Sequence, residues 1–218
     1  MRDYTNMTTA MQYVLMCWSR SCDGHGLWVS FETAPDKLEA LAAKFRENYG
    51  TALPPEKRRW RQHKGLPLAW ACSMPVLHAP GKTHVYLLAQ RTALQMPPDS
   101  PFRREAWIDR PPEVTDLFVI AKLPTQDRSL RWTWRIQNRQ IALMEQHLTA
   151  LVTTSEDGEI RECTQRWVSL YPMYFGVRQQ IRRMFKSAGK LYCAKRKRPW
   201  PGPDPEGLPI ISGFRAQE

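Results

Sequence analysis

Residues 130–136 read Leu-Arg-Trp-Thr-Trp-Arg-Ile, and that alternation restricts the fold more than any other stretch of the chain. Apolar Leu130, Trp132, Trp134 and Ile136 interleave with Arg131, Thr133, Arg135 and Gln137. A period of two is the period of a β-strand with one buried and one polar face. Just upstream, Asp-Leu-Phe-Val-Ile-Ala-Lys-Leu at 116–123 predicts a second, buried strand. The link between them is too short for a parallel crossover, so the pair is expected to be antiparallel.

The other predicted elements follow the same logic. Residues 12–18 and 27–31 predict short strands, with Asp23-Gly24-His25-Gly26 as the turn between them. Thr33 and Asp36 have capping-box spacing, and Leu38, Leu41, Ala42 and Phe45 continue as one helical face that Gly50 ends. Residues 51–66 predict a basic loop, and 68–74 with 83–90 a hairpin around His78-Ala-Pro-Gly81. A proline-rich connection covers 96–113. Asn138 predicts a cap for a helix carrying Ile141, Met144, Leu148 and Leu151. After the turn Glu156-Asp157-Gly158, residues 159–168 predict a strand. Residues 175–186 then predict a basic helix, with Gly189 as its stop. The sum is an α+β fold with a mainly antiparallel sheet and helices packed on one face, ferredoxin-like or related. Residues 1–190 are expected to form a single domain, and 191–218 a basic, proline-rich C-terminal extension.

Charge is unevenly spread. Between Arg178 and Arg198 stand nine Lys or Arg and no acid, while the remainder holds 23 basic and 21 acidic residues. A concentrated cationic stretch beside a near-neutral body points to a polyanionic partner. No apolar run approaches the roughly 20 residues that span a bilayer, and the run at 13–17 is too short for a signal-peptide core. Five scattered cysteines suit free thiols in a reducing compartment. A cytoplasmic location without a membrane partner is therefore expected.

Two segments interleave aromatics with cations. Trp60 lies among Lys57, Arg58, Arg59, Arg61 and Lys64; Trp132 and Trp134 lie among Arg128, Arg131, Arg135 and Arg139. Guanidinium groups pair with phosphates, and aromatic rings offer platforms to unpaired bases. The strand period assigns Trp132 and Trp134 to the core and leaves Arg131 and Arg135 as a phosphate track. Arg178, Arg182 and Lys186 fall four apart on one helical stripe, opposite Val177, Ile181 and Met184 or Phe185. Arg183, Lys190, Lys195, Arg196, Lys197 and Arg198 extend the cationic stretch, and Pro-Trp-Pro-Gly-Pro-Asp-Pro-Glu-Gly after it predicts an extended or turning strap around Trp200.

Phosphate-loop, serine-elbow and dinucleotide glycine motifs are absent from the sequence. Cys17, Cys22 and His25 lack a fourth metal ligand at zinc spacing. His63, His78 and His84 cluster only in sequence, and Asp127, Glu156, Asp157 and Glu159 suit ordinary turns. No metal site and no cofactor is expected from these residues.

The segment LPLAWACSMPVLHAPGKTHVYLLAQR resembles the central strands of the two-histidine replication nucleases, including replication-initiator-like proteins of prophages and plasmids. The resemblance implies His84 as the second histidine of a His-hydrophobe-His strand that binds a divalent metal, with Lys82 standing where the first would be. It implies Tyr171 or Tyr174 as the nucleophile toward a DNA phosphodiester. The α+β sheet and basic surface are also similar in architecture to CRISPR repeat-associated RNA-binding proteins, though the glycine-rich C-terminal loop of those proteins is not evident.

The leading expectation is a nucleic-acid-binding protein serving replication, processing or defence of a mobile genetic element. Its partners would be DNA or RNA, single strands included, and other subunits of a nucleoprotein complex. Its contact surface would be Arg58, Arg59, Trp60, Arg61, Lys64, Arg131, Arg135, Arg178, Arg182, Arg183, Lys186, Lys190, Lys195, Arg196, Lys197 and Arg198. Enzymatic cleavage through His84 with Tyr174 or Tyr171, a CRISPR-type RNA-binding subunit, and an adaptor docking an acidic protein are the alternatives.

Overall fold

A computed structural model describes residues 1–211, apart from positions 5, 23, 77, 78, 80 and 115 and the side chains of Arg20 and Ser21. The chain divides into two compact units, Met1–Pro112 and Glu113–Gly213, where the sequence suggested one domain to residue 190.

The first unit opens with the short strand β1 (Arg2–Asp3) and helix α1 (Met7–Met16). Asn6 caps α1, its side-chain oxygen accepting from the N–H groups of Thr8 and Thr9 at 2.8 and 3.4 Å. Ala10, Met11, Val14, Cys17 and Trp18 are buried at helical spacing, and a π-type turn, Cys17–Ser21, continues the coil. The strand expected over 12–18 is therefore a helix. A short apolar run satisfies either period, and the cap at Asn6 decides between them.

Strand β2 (Gly26–Thr33) and helix α2 (Leu38–Tyr49) follow as expected. Gly50 ends α2 in the left-handed region at φ 66°, a conformation that favours glycine. The Thr33–Asp36 side-chain cap does not form: Ala34 and Lys37 occupy the cap positions without such a bond. Residues expected as a loop contain helix α3 (Pro55–His63). Pro55 and Glu56 suit its first turn, and Arg61 and His63 its last, by backbone geometry and helix dipole. Because α3 buries no residue fully, it has no apolar stripe to announce it.

Strands β3 (Ala69–Pro75) and β4 (Thr83–Gln90) form the expected hairpin, and the short helix α4 (Pro101–Arg104) sits in the proline-rich connection. The sheet order is β1-β3-β4-β2, with only β1 and β3 parallel. One face packs Leu27, Ala71, Val85 and Leu87 against Phe45, Tyr49 and Phe102. On the other, Trp70, Cys72 and Met74 are also buried, and α1 contacts β3. Both faces are covered, where a single helical layer was expected. The element order β-α-β-α-α-β-β also differs from the ferredoxin-like β-α-β-β-α-β.

The second unit holds β5 (Glu113–Val114), β6 (Phe118–Pro124) and β7 (Leu130–Ile136), antiparallel in that order. The alternation in β7 is realised at one end. Trp134 and Ile136 are fully buried, whereas Leu130 is 59% exposed and Trp132 is half-buried under the Lys122 ammonium, 5.6 Å from its ring. Helix α5 (Asn138–Thr154) forms where expected, but Gln137 occupies the cap position without a side-chain bond and Asn138 is the first helical residue, its side-chain oxygen accepting from Arg135 instead. The strand expected at 159–168 is helix α6 (Asp157–Leu170). Its buried Ile160 and Thr164 stand four apart, and Asp157 and Glu159 favour a helix start.

Helix α7 (Phe175–Arg196) runs past Gly189 and stops where Lys197 turns left-handed at φ 56°. Val177, Ile181, Met184, Phe185, Ala188 and Tyr192 form its buried stripe. Gln180 fastens it to edge strand β7, accepting from the Ile136 N–H at 2.8 Å and donating to the Ile136 carbonyl at 2.9 Å. One side-chain amide thus satisfies both groups that an edge residue leaves unpaired. The Gly176 N–H donates to the Thr133 hydroxyl at 3.1 Å, so α7 covers part of the β7 face expected to be open. The α+β class is the one expected, built as two sheets.

Candidate nucleic-acid interface

After α7 the proline-rich segment turns back and lies antiparallel along it as an ordered strap. Trp200 packs over Gly189, where an added Cβ would stand 3.5 Å from the indole, an ordinary van der Waals distance. The same ring meets Tyr192 edge-on at 5.9 Å and Phe185 at 6.3 Å. Glu206 ion-pairs with Arg182 and with Lys186, the latter at 2.5 Å. Arg178 donates to the carbonyls of Leu208 at 2.8 Å and Glu206 at 3.0 Å. Leu208 is buried, and the Ile211 N–H donates to the Met173 carbonyl at 3.0 Å. Gly189 therefore lies within α7 beneath Trp200 and does not end the helix.

The strap changes the meaning of the stripe Arg178, Arg182, Lys186. All three are partnered within the chain, and the two cations hold the exposed Glu206 carboxyl down to about 2. Further along, Arg196 donates to the Ser155 carbonyl at 2.8 Å, and Lys195 reaches the Thr153 hydroxyl at 3.3 Å, both at the end of α5. The Tyr192 hydroxyl donates to Asp157 at 2.6 Å. What remains is a different edge. Arg183, Lys190, Lys197 and Arg198 are exposed, and among the described residues none of their side chains has an ion pair or hydrogen bond. Arg182, Arg183, Lys186 and Lys190 line one open groove of about 560 Å³ with Gln179 and Ser187.

The β7 arginines are also engaged. The Arg131 guanidinium lies 5.9 Å from the Phe175 ring, and Arg135 donates to Asn138 Oδ1 at 2.8 Å. In the other unit, α3 sorts its cations by depth. Arg58 lies over the Trp70 ring at 5.0 Å. Arg61 is half-buried against Gly50, where a Cβ would meet Nη1 at 2.6 Å, and burial lowers its affinity for its proton. Arg59, Trp60 and Lys64 are exposed, Trp60 by 57%. Lys57 and Lys64 stand one turn before and after Trp60 on the same side of the helix.

His84 lies on β4 opposite Glu32 and Met74, its ring 4.7 Å from that of Tyr86. Lys82, in the position implied for a first histidine, pairs with Glu32 at 3.2 Å. His78 lies outside the described residues. Tyr174 precedes α7 and is buried, which pushes its hydroxyl well above the usual range. Tyr171 caps the end of α6, edge-on to Phe118 at 6.0 Å. Cys17 and Cys22 are buried thiols that desolvation raises to about 12. Among the described residues no group of three His, Cys, Asp or Glu is placed to hold a metal ion. No described helix is long and apolar enough to cross a membrane.

Sequence periodicity missed Glu206 and Gln180, since both act across the fold. The one usable signal for Glu206 was an acid returning soon after nine cations. No protein-family model, curated protein or solved structure matches the chain.

Proposed function

We propose that the chain binds nucleic acid, DNA or RNA, through the solvent-facing edge of α7, gripping phosphates without reading sequence. The observation that carries this is the exposed set Arg183, Lys190, Lys197 and Arg198, whose side chains have no partner among the described residues, while Arg182 and Lys186 share the Glu206 carboxylate and Arg196 is tied to the Ser155 carbonyl. Arg183 and Lys190 stand on α7 two turns apart, and Lys197 and Arg198 follow directly at its C-terminal end, so the backbone that carries the cations is already ordered before a polyanion binds. From Arg183 to Arg196, its last residue, the helix advances about 20 Å. That matches about six phosphates at the roughly 3.4 Å per nucleotide of one strand. Trp60, on a separate unit, supplies a platform for an unpaired base.

The test is binding of single-stranded and duplex DNA and RNA oligonucleotides across a salt series, followed by fluorescence anisotropy. Every polyanion should bind at low salt and weaken linearly in log–log form. Absence of binding to all four at the lowest salt contradicts the proposal.

A further inference from the structure

We infer that the first unit carries an oxyanion pocket, formed by Arg2, Arg58 and Thr51, that takes a phosphate monoester. This goes beyond the function proposed above, because the pocket belongs to a different unit from α7 and needs no polymer.

The pocket has a volume of about 240 Å³, below the roughly 300–1,000 Å³ of sites for drug-sized ligands. It lies beside Ala71, at the edge of β3 where β1 pairs only with Cys72 and Ser73. Strand β1 contributes Arg2, the turn after α2 contributes Thr51, and α3 contributes Arg58. Both guanidinium groups are held by rings, Arg2 5.0 Å from the centroid of Tyr13 and Arg58 5.0 Å from that of Trp70. Stacking fixes each plane, and the Tyr4 hydroxyl lies beside the Arg2 guanidinium as a further neighbour.

Neither arginine has a carboxylate partner among the described residues, and the hydrogen bond from Arg58 to the Ala69 carbonyl is long at 3.5 Å. Thr51 is only 8% exposed, yet its hydroxyl has no hydrogen-bond partner among the described residues. Buried polar atoms without partners are rare in native proteins and call for an explanation. An oxyanion supplies it, accepting from the hydroxyl and from both arginines. A cation is excluded by the two positive charges. Donors from three separate elements suit a tetrahedral oxyanion better than a planar carboxylate, which a single guanidinium fork satisfies.

The test uses the full chain, with chloride as the only competing anion, in calorimetric titrations. Inorganic phosphate is titrated first, then a single-stranded oligonucleotide with a 5′-phosphate and the same strand with a 5′-hydroxyl. Wild type should bind phosphate saturably at one site. The near-isosteric Thr51→Val and the charge-removing Arg58→Gln should each weaken it about tenfold or more. Thr51→Val should retain the wild-type melting temperature, which separates loss of the site from loss of the fold. Preference for the 5′-phosphorylated strand, lost in Thr51→Val, identifies a nucleic-acid terminus as the source. Equal affinity for both strands, with phosphate still bound, identifies a small phosphate ester. No saturable phosphate binding by wild type, or unchanged affinity in Thr51→Val, overturns the inference. Replacing Arg183, Lys190, Lys197 and Arg198 by alanine should leave phosphate affinity unchanged, so this pocket and the α7 interface can fail separately.

Discussion

Gly176→Ala tests how closely α7 sits on its sheet, and the sign of the effect is decided by competing magnitudes. Ala is favoured over Gly by about 0.8–1.0 kcal/mol in a helix interior, and by less in the first turn, where Gly176 stands. At Gly176 the new methyl group would stand 2.5 Å from the Trp134 carbonyl oxygen, 2.9 Å from Thr133 Cγ2 and 3.1 Å from Leu123 Cδ1. The nearest atom is backbone of β7, which the β6 ladder holds, so it cannot swing aside as a flexible side chain would. Overpacking of this kind costs about 1–3 kcal/mol. Moving α7 outward would also stretch the Gly176–Thr133 bond and the Gln180 pair, each contributing about 0.5–1.5 kcal/mol. The net expectation is destabilisation by about 1–3 kcal/mol. Gly158→Ala is the internal control. It lies in α6 with nothing within 4 Å of the added carbon, so only the helical preference acts and stability should rise by about 0.5 kcal/mol. Urea unfolding of both variants at unchanged m-value measures the two signs. A Gly176→Ala protein as stable as wild type would refute the close docking of α7 on β7.

The remaining predictions concern the strap and Trp60. Glu206→Gln frees Arg182 and Lys186, so nucleic-acid affinity should rise and the log–log salt slope for single strands should steepen by about 1.4; an unchanged slope would show that the strap does not compete. Because Glu206 is held below its unfolded value of 4.5, to about 2, its contribution is complete above pH 4.5 and is lost as pH falls toward 2. Protease cleavage of the strap should increase in that window in wild type, and Glu206→Gln should show no such transition. Trp60→Ala should weaken single-strand binding by about 1–3 kcal/mol while changing unfolding free energy by less than about 0.5 kcal/mol. Equal binding by the variant would show that Trp60 is not a stacking platform.

Legibility in the sequence followed how local the deciding interaction is. The β6–β7 and β3–β4 hairpins, α2 with its Gly50 end, and α5 were readable because period and turn chemistry agree within each segment. Helices α1 and α6 read as strands in sequence because a short run around Val14 or Ile160 fits either period, and what decides for helix is the cap at Asn6 and the acids Asp157 and Glu159 in the first turn. Helix α3 was missed because it has no apolar stripe. The candidate site was legible only as a count of cations. Which cations are free depends on Glu206 reaching Arg182 and Lys186, and on Arg196 reaching Ser155. Such pairings join distant positions, and no local pattern records them. The same holds for Arg2, Thr51 and Arg58, which come from three separated segments.

The most direct measurement is the salt dependence of single-stranded DNA binding, wild type against a variant with Arg183, Lys190, Lys197 and Arg198 all replaced by alanine. Four phosphate contacts predict a wild-type slope of about −2.8 in log K against log salt. The variant should bind weakly with a slope near zero, and restoring Lys190 and Lys197 should recover about half of it. A variant slope equal to that of wild type would contradict the assignment of this edge of α7 as the nucleic-acid contact.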